Sequence, residues 1–330
     1  MKALVTGGGG FLGLYLVEQL VARGDTVRSF SRARYTRLDE LGVEQHSGDI
    51  QDRSAVARAC DGVEAVFHTA AVPGIWGPWK HFHGINTIGT ENVLAACNAH
   101  RVPKLIYTSS PSVIYDGREH RNVNEDYPYP ARYLCHYPHS KALAEKAVLA
   151  ANGRNGLATV ALRPHLIWGP RDNHLIPRLI ARARSGKLKR VGNGDNLISV
   201  SYVENAAAAH LQAADSLHIG SPSAGRAYFI NEIEPVNLWK WVDDILSRAG
   251  LPAVRKHVSA KAAKVAGAVL EAVYGTLGIQ SEPLMTRFLA SQLSGSHYYD
   301  VARARRDFGY NPQVPFEEGM RRLEPELRKQ

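Results

Sequence analysis

A doubly wound α/β fold with a parallel sheet, followed by a smaller and mostly helical part, is what this sequence predicts. Two observations carry the prediction. Up to Pro164, short apolar runs alternate with helical periods of about 10–15 residues, which requires crossover connections and hence parallel strands. After Pro164 the rhythm stops, loops such as "WGPRDNH", "VGNGDN" and "GSPSAG" multiply, and the remaining segments read mainly as helices.

The elements follow in order. "KALVT" (2–6) is an apolar run ending in glycines and reads as a buried strand. Leu12, Tyr15, Leu16 and Leu20 then recur at helical spacing, giving a helix over 11–21. "TVRSFS" (26–31), "VEAVFHTAA" (63–71), "KLIYTSS" (104–110) and "GLATVALRP" (156–164) read as further strands, with helices over 87–99 and 140–151 between the later ones. Beyond them, helices are expected over 174–185, 203–215, 236–249 and 260–277. The first domain is therefore 1–165, with 197–230 returning to it through "LISVSYVENAAAAHL" (197–211). The second domain comprises 166–196 and 231–330.

Composition narrows the class. A chain of 330 residues with 45% hydrophobic and 22% charged residues is ordinary for a two-domain soluble protein. The net charge of +9 favours anionic partners, but the basic residues are scattered and not interleaved with aromatics, so nucleic acid is not expected. Cys60, Cys97 and Cys135 form no C-x-x-C pair, and "HFH" (81–83) has no Cys or carboxylate at ligand spacing, so neither a disulfide framework nor a metal site is expected. The opening "MKALVTGGGG" is too short in apolar residues for a secretory segment, and no run approaches the roughly 20 needed for a bilayer span. A cytoplasmic protein is expected.

"VTGGGGFLG" lies between the first strand and the first helix, with Gly7, Gly10 and Gly13 at G-x-x-G-x-x-G spacing. Glycines there permit a tight turn and let backbone N–H groups and the helix dipole approach a pyrophosphate, the Rossmann-type signature. An NAD site asks for a carboxylate at the end of the second strand to bond the ribose 2′-hydroxyl. Here the positions hold Ser31 and Arg32, whose hydroxyl and guanidinium suit a 2′-phosphate, so NADP(H) is the expected cofactor. "GDI" (48–50) offers Asp49 to the adenine amino group, with an ordinary turn as the other reading.

"YTSSPSV" (107–113) ends a strand at the carboxyl edge of the sheet, where open α/β sheets bind ligands. "HYPHSK" (136–141) follows, and Tyr137 is the only tyrosine of 14 with a lysine four residues on. That spacing puts Tyr137 and Lys141 on one helix face. A neighbouring ammonium and an oxidised nicotinamide lower a phenol by about 1–3 units, which makes it a proton donor or acceptor near neutral pH. Ser110 can then hold a carbonyl oxygen beside Tyr137, where alkoxide charge develops.

At this point the sequence resembles the extended short-chain dehydrogenase/reductase superfamily, through "TGGGGFLG", "GDI", "HTAA", "NTIGTENVLAAC", "YTSSPSV", "YPHSK" and "LRPHLIWGP". The resemblance implies that Ser110 and Tyr137 bind and protonate a carbonyl, and that Lys141 holds the nicotinamide ribose and tunes Tyr137. It implies that Asn86 supports the cofactor region and that Pro164 and His165 pass behind the nicotinamide. The same pieces place Phe11, Leu12, Ile50, Thr69, Ala70, Ala71 and Thr108 against the cofactor. Within the superfamily the chain is similar to the 3β-hydroxysteroid dehydrogenase branch. "PGIWGPWKHFHGIN", "ALRPHLIWGPRDNHLIPRLIARARSGKL" and "YFINEIEPVNLWKWVDDIL" most resemble the 2-alkyl-3-oxoalkanoate reductase family of bacterial long-chain olefin synthesis.

That resemblance implies NADPH-dependent reduction of a hydrophobic 3-oxo carboxylic acid, a homodimer, and assembly with the enzymes that form a β-lactone from the product. A 3β-hydroxysteroid or sterol-4α-carboxylate 3-dehydrogenase would use the same residues in the oxidative direction. A non-catalytic NADP-sensing protein would share the fold, but such proteins lose the Tyr–Lys pair.

In "AKAAKVAGAVLEAVYGTLG" (260–278), Ala262, Ala266, Leu270, Tyr274 and Val265, Val269, Val273, Leu277 form adjacent rows of one apolar stripe, with Lys261, Lys264 and Glu271 opposite. Three fates are open to it: packing in the second domain's core, walling an alkyl-chain tunnel with Trp76 and Trp79, or peripheral contact with a membrane.

Overall fold

The computed structural model describes residues 1–329. Seven parallel strands form one sheet in the order Arg226–Ile230, Ala158–Pro164, Lys104–Thr108, Ala65–His68, Lys2–Thr6, Thr26–Ser31, Glu44–Ser47. From Lys2–Thr6 the chain first builds outward through Thr26–Ser31 and Glu44–Ser47, then returns and builds the other way through Ala65–His68. That reversal is the switch point of a doubly wound sheet, and ligands bind there beyond the carboxyl ends of the strands. The registers Leu4↔Val66 and Val66↔Leu105 pair buried apolar residues, as expected when helices cover both faces.

Helices Phe11–Ala22 and Val203–Ser216 cover one face, burying Leu16, Leu20, Ala206 and Ala213 against Phe67 and Leu162. Arg53–Cys60, Gly89–Ala99 and His136–Ala150 cover the other, burying Val56, Val93 and Val148 against Val66 and Leu105. A separate core gathers Trp168, Trp239, Trp241, Ile245, Met320 and Leu323 in the C-terminal half.

Two placements differ from the sequence reading. Leu197–Ile198 does not join the large sheet; it pairs with Val236–Asn237 and with His297 in a four-stranded sheet that also takes His120–Val123. What returns to the large sheet is the helix Val203–Ser216 and the edge strand Arg226–Ile230. Likewise Tyr299, Val301, Ala304, Phe308 and Tyr310, read as part of the second domain, pack into the core beneath the large sheet. Strands of two or three residues have no periodicity to read, so their partners are invisible in sequence. Among the described residues, no helix is long and apolar enough to cross a membrane, and no cluster of His, Cys, Asp and Glu is disposed to hold a metal ion.

Candidate active site

The glycine turn forms the floor of the switch-point crevice. Gly7 has φ +74° and donates its N–H to Phe30 O at 2.8 Å, while Gly10 N–H bonds back to Gly7 O at 2.9 Å. A Cβ on Gly13 would stand 2.1 Å from Gly7 O, so only glycine lets the helix start this close to the strand. Helix Phe11–Ala22 opens with no side-chain cap and no acidic residue in its first turn. The amides of Leu12 and Gly13 are thus free to meet a pyrophosphate, and the fold fits a dinucleotide.

The neighbouring residues close round this turn. Thr69 Oγ1 donates to Thr6 O at 2.7 Å and Ala70 N–H to Thr6 Oγ1 at 3.2 Å, holding both beside Gly7, with Ala71 exposed just beyond. Ser31 ends its strand and Arg32 follows, exposed and without a hydrogen-bond partner among the described residues. The nearest downstream carboxylate, Asp39, is taken by Arg34 Nη2 at 2.8 Å and Gln45 Nε2 at 2.7 Å. Asp49 accepts Gln51 N–H at 2.8 Å within its own turn, and Ile50 is buried in the core beside it.

The residues expected to react lie at the next strand ends. Helix His136–Ala150 carries Tyr137, Lys141 and Glu145 on one face, and Pro138 is accommodated in its first turn. Ser110 caps the short turn Pro111–Ile114, and its hydroxyl lies 2.9 Å from Ser112 Oγ. Burial pushes the Tyr137 phenol up to about 12, and the Ser110 hydroxyl beside it acts the other way. Lys141 is buried; its Nζ donates to Thr108 O at 2.6 Å and sits 4.2 Å over the Tyr107 ring. Desolvation lowers it to about 7, with Glu145 opposing. The lowering of Tyr137 by Lys141 that the spacing suggested is therefore not what the protein alone produces, because loss of water dominates at both groups.

Asn86 clamps this region: its Oδ1 accepts Val72 N–H at 2.8 Å, and its Nδ2 donates to Val72 O at 3.1 Å and Ser140 Oγ at 3.0 Å. Thr108 Oγ1 pairs with His210 Nε2 at 2.8 Å. Pro164 ends its strand beside Ile230. His165 is buried, with its ring bonded to Ser199 O at 2.7 Å and its N–H and C=O engaged by Ser201 Oγ. Its ring belongs to the packing between the two sheets.

Two features escaped the sequence reading. His68 Nδ1 accepts from Thr6 Oγ1 at 2.7 Å and its Nε2 faces Thr90 Oγ1 at 2.9 Å, while Thr90 donates to Asn86 O. This relay links the glycine strand to the Asn86 clamp. Glu145 forms a bidentate pair with Arg163 at 2.6 and 2.9 Å, deep in the fold, and accepts the OH of the half-buried Tyr129 at 2.6 Å. Arg163 holds Glu145 ionised behind Lys141.

A cleft of about 380 Å³ opens between the loop carrying Trp76 and the end of helix Ala260–Thr276; Cys135 and His136, just before Tyr137, line it, whereas Ser110, Tyr137 and Lys141 are not part of its wall. Trp76 lines it and packs edge-on against Tyr274 at 6.1 Å. Trp79 does not; it lies against the rings of His83, His136 and His139. The apolar stripe of this helix also faces elsewhere than expected. Val265, Val269, Val273 and Leu277 are 56%, 56%, 43% and 69% exposed, whereas Ala263 and Gly267 are buried and Glu271 and Tyr274 face the cleft. Close contact through small residues, not the wider apolar row, fixes the helix rotation. The valine row neither packs in a core nor walls the cleft.

Residues 4–259 match the 3-beta hydroxysteroid dehydrogenase/isomerase family. Two proteins named 2-alkyl-3-oxoalkanoate reductase are each 48% identical to this chain. The one from Shewanella oneidensis aligns over 98% of this chain and 86% of its own length, and the one from Stenotrophomonas maltophilia over 98% of both. A Homo sapiens sterol-4-alpha-carboxylate 3-dehydrogenase (decarboxylating) is 37% identical over 97% of this chain and 87% of its own. Among solved structures, a dTDP-glucose 4,6-dehydratase from Streptomyces venezuelae with NAD bound superposes with a TM-score of 0.77 at 22% identity, covering 100% of this chain and 97% of that one. The chain belongs to the 3-beta hydroxysteroid dehydrogenase/isomerase family and is a nicotinamide-dependent oxidoreductase of the extended short-chain dehydrogenase/reductase type.

Proposed function

We propose that this protein reduces the 3-oxo group of a 2-alkyl-3-oxoalkanoic acid to the 3-hydroxy acid with NADPH, as a step of long-chain olefin formation. The observation that carries the reading is the Ser110–Tyr137–Lys141 constellation at the switch point, in a chain whose 48% identical relatives bear that reductase name. NADPH, when bound, supplies the hydride that adds to C3. Tyr137 gives its proton to the carbonyl oxygen as that oxygen gains charge, and the Ser110 hydroxyl holds the same oxygen in place. A phenol held high by burial is protonated at neutral pH, which suits the reductive direction. Lys141, fixed by Thr108 O, supplies positive charge beneath the site when protonated. The 3-hydroxy acid is then a substrate for a β-lactone-forming partner.

Oxidation of a 3β-hydroxysteroid or a sterol-4-carboxylate is the second reading, favoured by the 37% identical human relative. A panel of 2-alkyl-3-oxo acids and 3-ketosteroids, each with NADPH and NADH, separates the two. Efficient reduction of the oxo acids with NADPH supports the first reading; turnover of the steroid set alone supports the second.

The unpartnered Arg32 and the engaged Asp39 underlie the cofactor choice. NADPH is expected to be preferred at least about tenfold, since a charge-assisted phosphate contact is worth roughly 1.5–3 kcal/mol. Arg32→Ala should remove most of that preference by weakening NADPH alone. Equal kcat/KM for the two cofactors in the unaltered enzyme contradicts the assignment.

A further inference from the structure

We propose that Arg287 binds the carboxylate of the acid substrate. This rests on the oxo-acid reading above and adds to it the residue that distinguishes an acid from a neutral ketone.

The cleft between the Trp76 loop and helix Ala260–Thr276 is walled mainly by apolar side chains, among them Trp76, Phe82 and Tyr274. Phe82 meets the Tyr137 ring edge-on at 6.5 Å, and Cys135, two residues before Tyr137, forms part of the wall. A cavity of this size holds one small molecule, and a ligand seated against Arg287 meets the reacting groups by extending past Phe82 and Cys135 to Tyr137, which lies just beyond the wall. Arg287 is the one lysine or arginine on that wall among the described residues.

The side chain is held on one edge and open on the other. Glu271 accepts the Arg287 backbone N–H at 2.6 Å and its Nε–H at 2.6 Å. Nη1 and Nη2 have no acceptor among the described residues, which leaves the end of the guanidinium fork for a bidentate carboxylate. The backbone beneath is also fixed. Gly267 lies so close to it that a Cβ there would stand 2.5 Å from Thr286 C and 2.7 Å from Arg287 N. Glu271 thus orients Arg287 and balances part of its charge without occupying the free edge.

The Arg287 side chain is 55% exposed, and exposed ion pairs contribute little to stability, so Arg287→Gln is expected to fold. The test compares a freshly saponified 2-alkyl-3-oxo acid with its methyl ester, using NADPH and the full-length enzyme. The unaltered enzyme should favour the acid, and Arg287→Gln should cut the acid-to-ester ratio of kcat/KM by about 10- to 100-fold, mainly through KM for the acid. Arg287→Lys, which keeps the charge but not the fork, should restore part of the ratio. An unchanged ratio in Arg287→Gln overturns the proposal, as does an unaltered enzyme that reduces acid and ester equally well; in both cases the oxo-acid reductase reading stands. An enzyme that reduces neither compound overturns that reading and the carboxylate site with it.

Discussion

Tyr137→Phe is expected to lower kcat for carbonyl reduction by about 10²–10⁴-fold while leaving NADPH affinity nearly unchanged. The substitution removes one hydroxyl and keeps the ring, so the edge-on contact with Phe82 persists. Only the proton transfer to the developing alkoxide is lost. Lys141→Ala should differ in kind, damaging both turnover and cofactor binding, because Lys141 is buried and its Nζ bonds Thr108 O at the strand end. Steady-state kinetics together with NADPH fluorescence titration separate the two patterns. Near-normal turnover by Tyr137→Phe would assign the proton to another residue.

The second large effect is loss of stability in mild acid. His68 and His165 are pushed down to about 3, and His210 and His297 to about 4, in each case chiefly by burial. Each is held as a neutral ring by its burial, and His68 is in addition bonded at both nitrogens, to Thr6 and Thr90. The unfolded chain takes up a proton on each near its ordinary value of about 6.5, whereas the folded chain does not until far lower pH. The unfolded state therefore binds more protons between these values, and stability falls as pH falls through that window. Each histidine contributes up to about 1.4 kcal/mol per pH unit. His120, also lowered by burial, adds to the effect, while Glu125 and Glu232, raised by burial, offset part of it. Urea unfolding between pH 6 and 4.5 should give a slope equivalent to a net uptake of about two to three protons. A flat profile over that range contradicts the buried neutral histidines.

Much of the candidate site's geometry is legible in the sequence because it is local. The glycine turn, the four-residue step from Tyr137 to Lys141 and the strand-end Ser110 are spacings within single elements, and the fold brings those elements to one edge. What the sequence did not disclose is long-range. Glu145 and Arg163 lie 18 residues apart on a helix and a strand, and His68 reaches Thr6 across 62 residues. Nothing in the local pattern marks either pair. Helix Ala260–Thr276 shows the opposite failure, since its strongest local signal, the valine row, faces outward. There the close approach of Gly267 to Thr286 and the pull of Arg287 on Glu271 override hydrophobic pattern. The four-stranded sheet joins His120–Val123 to His297–Tyr299, a pairing too short and too distant to predict.

Hydride reduction of a 3-oxo group at this site leaves a label that can be read in the product. The enzyme is incubated with a 2-alkyl-3-oxo acid and NADPH deuterated at nicotinamide C4 on each face in turn, and the product is analysed by mass spectrometry and NMR. A 3-hydroxy acid with one deuterium at C3, from one of the two labelled faces only, is the predicted result. A product lacking deuterium at C3 with both labels would exclude hydride delivery to C3.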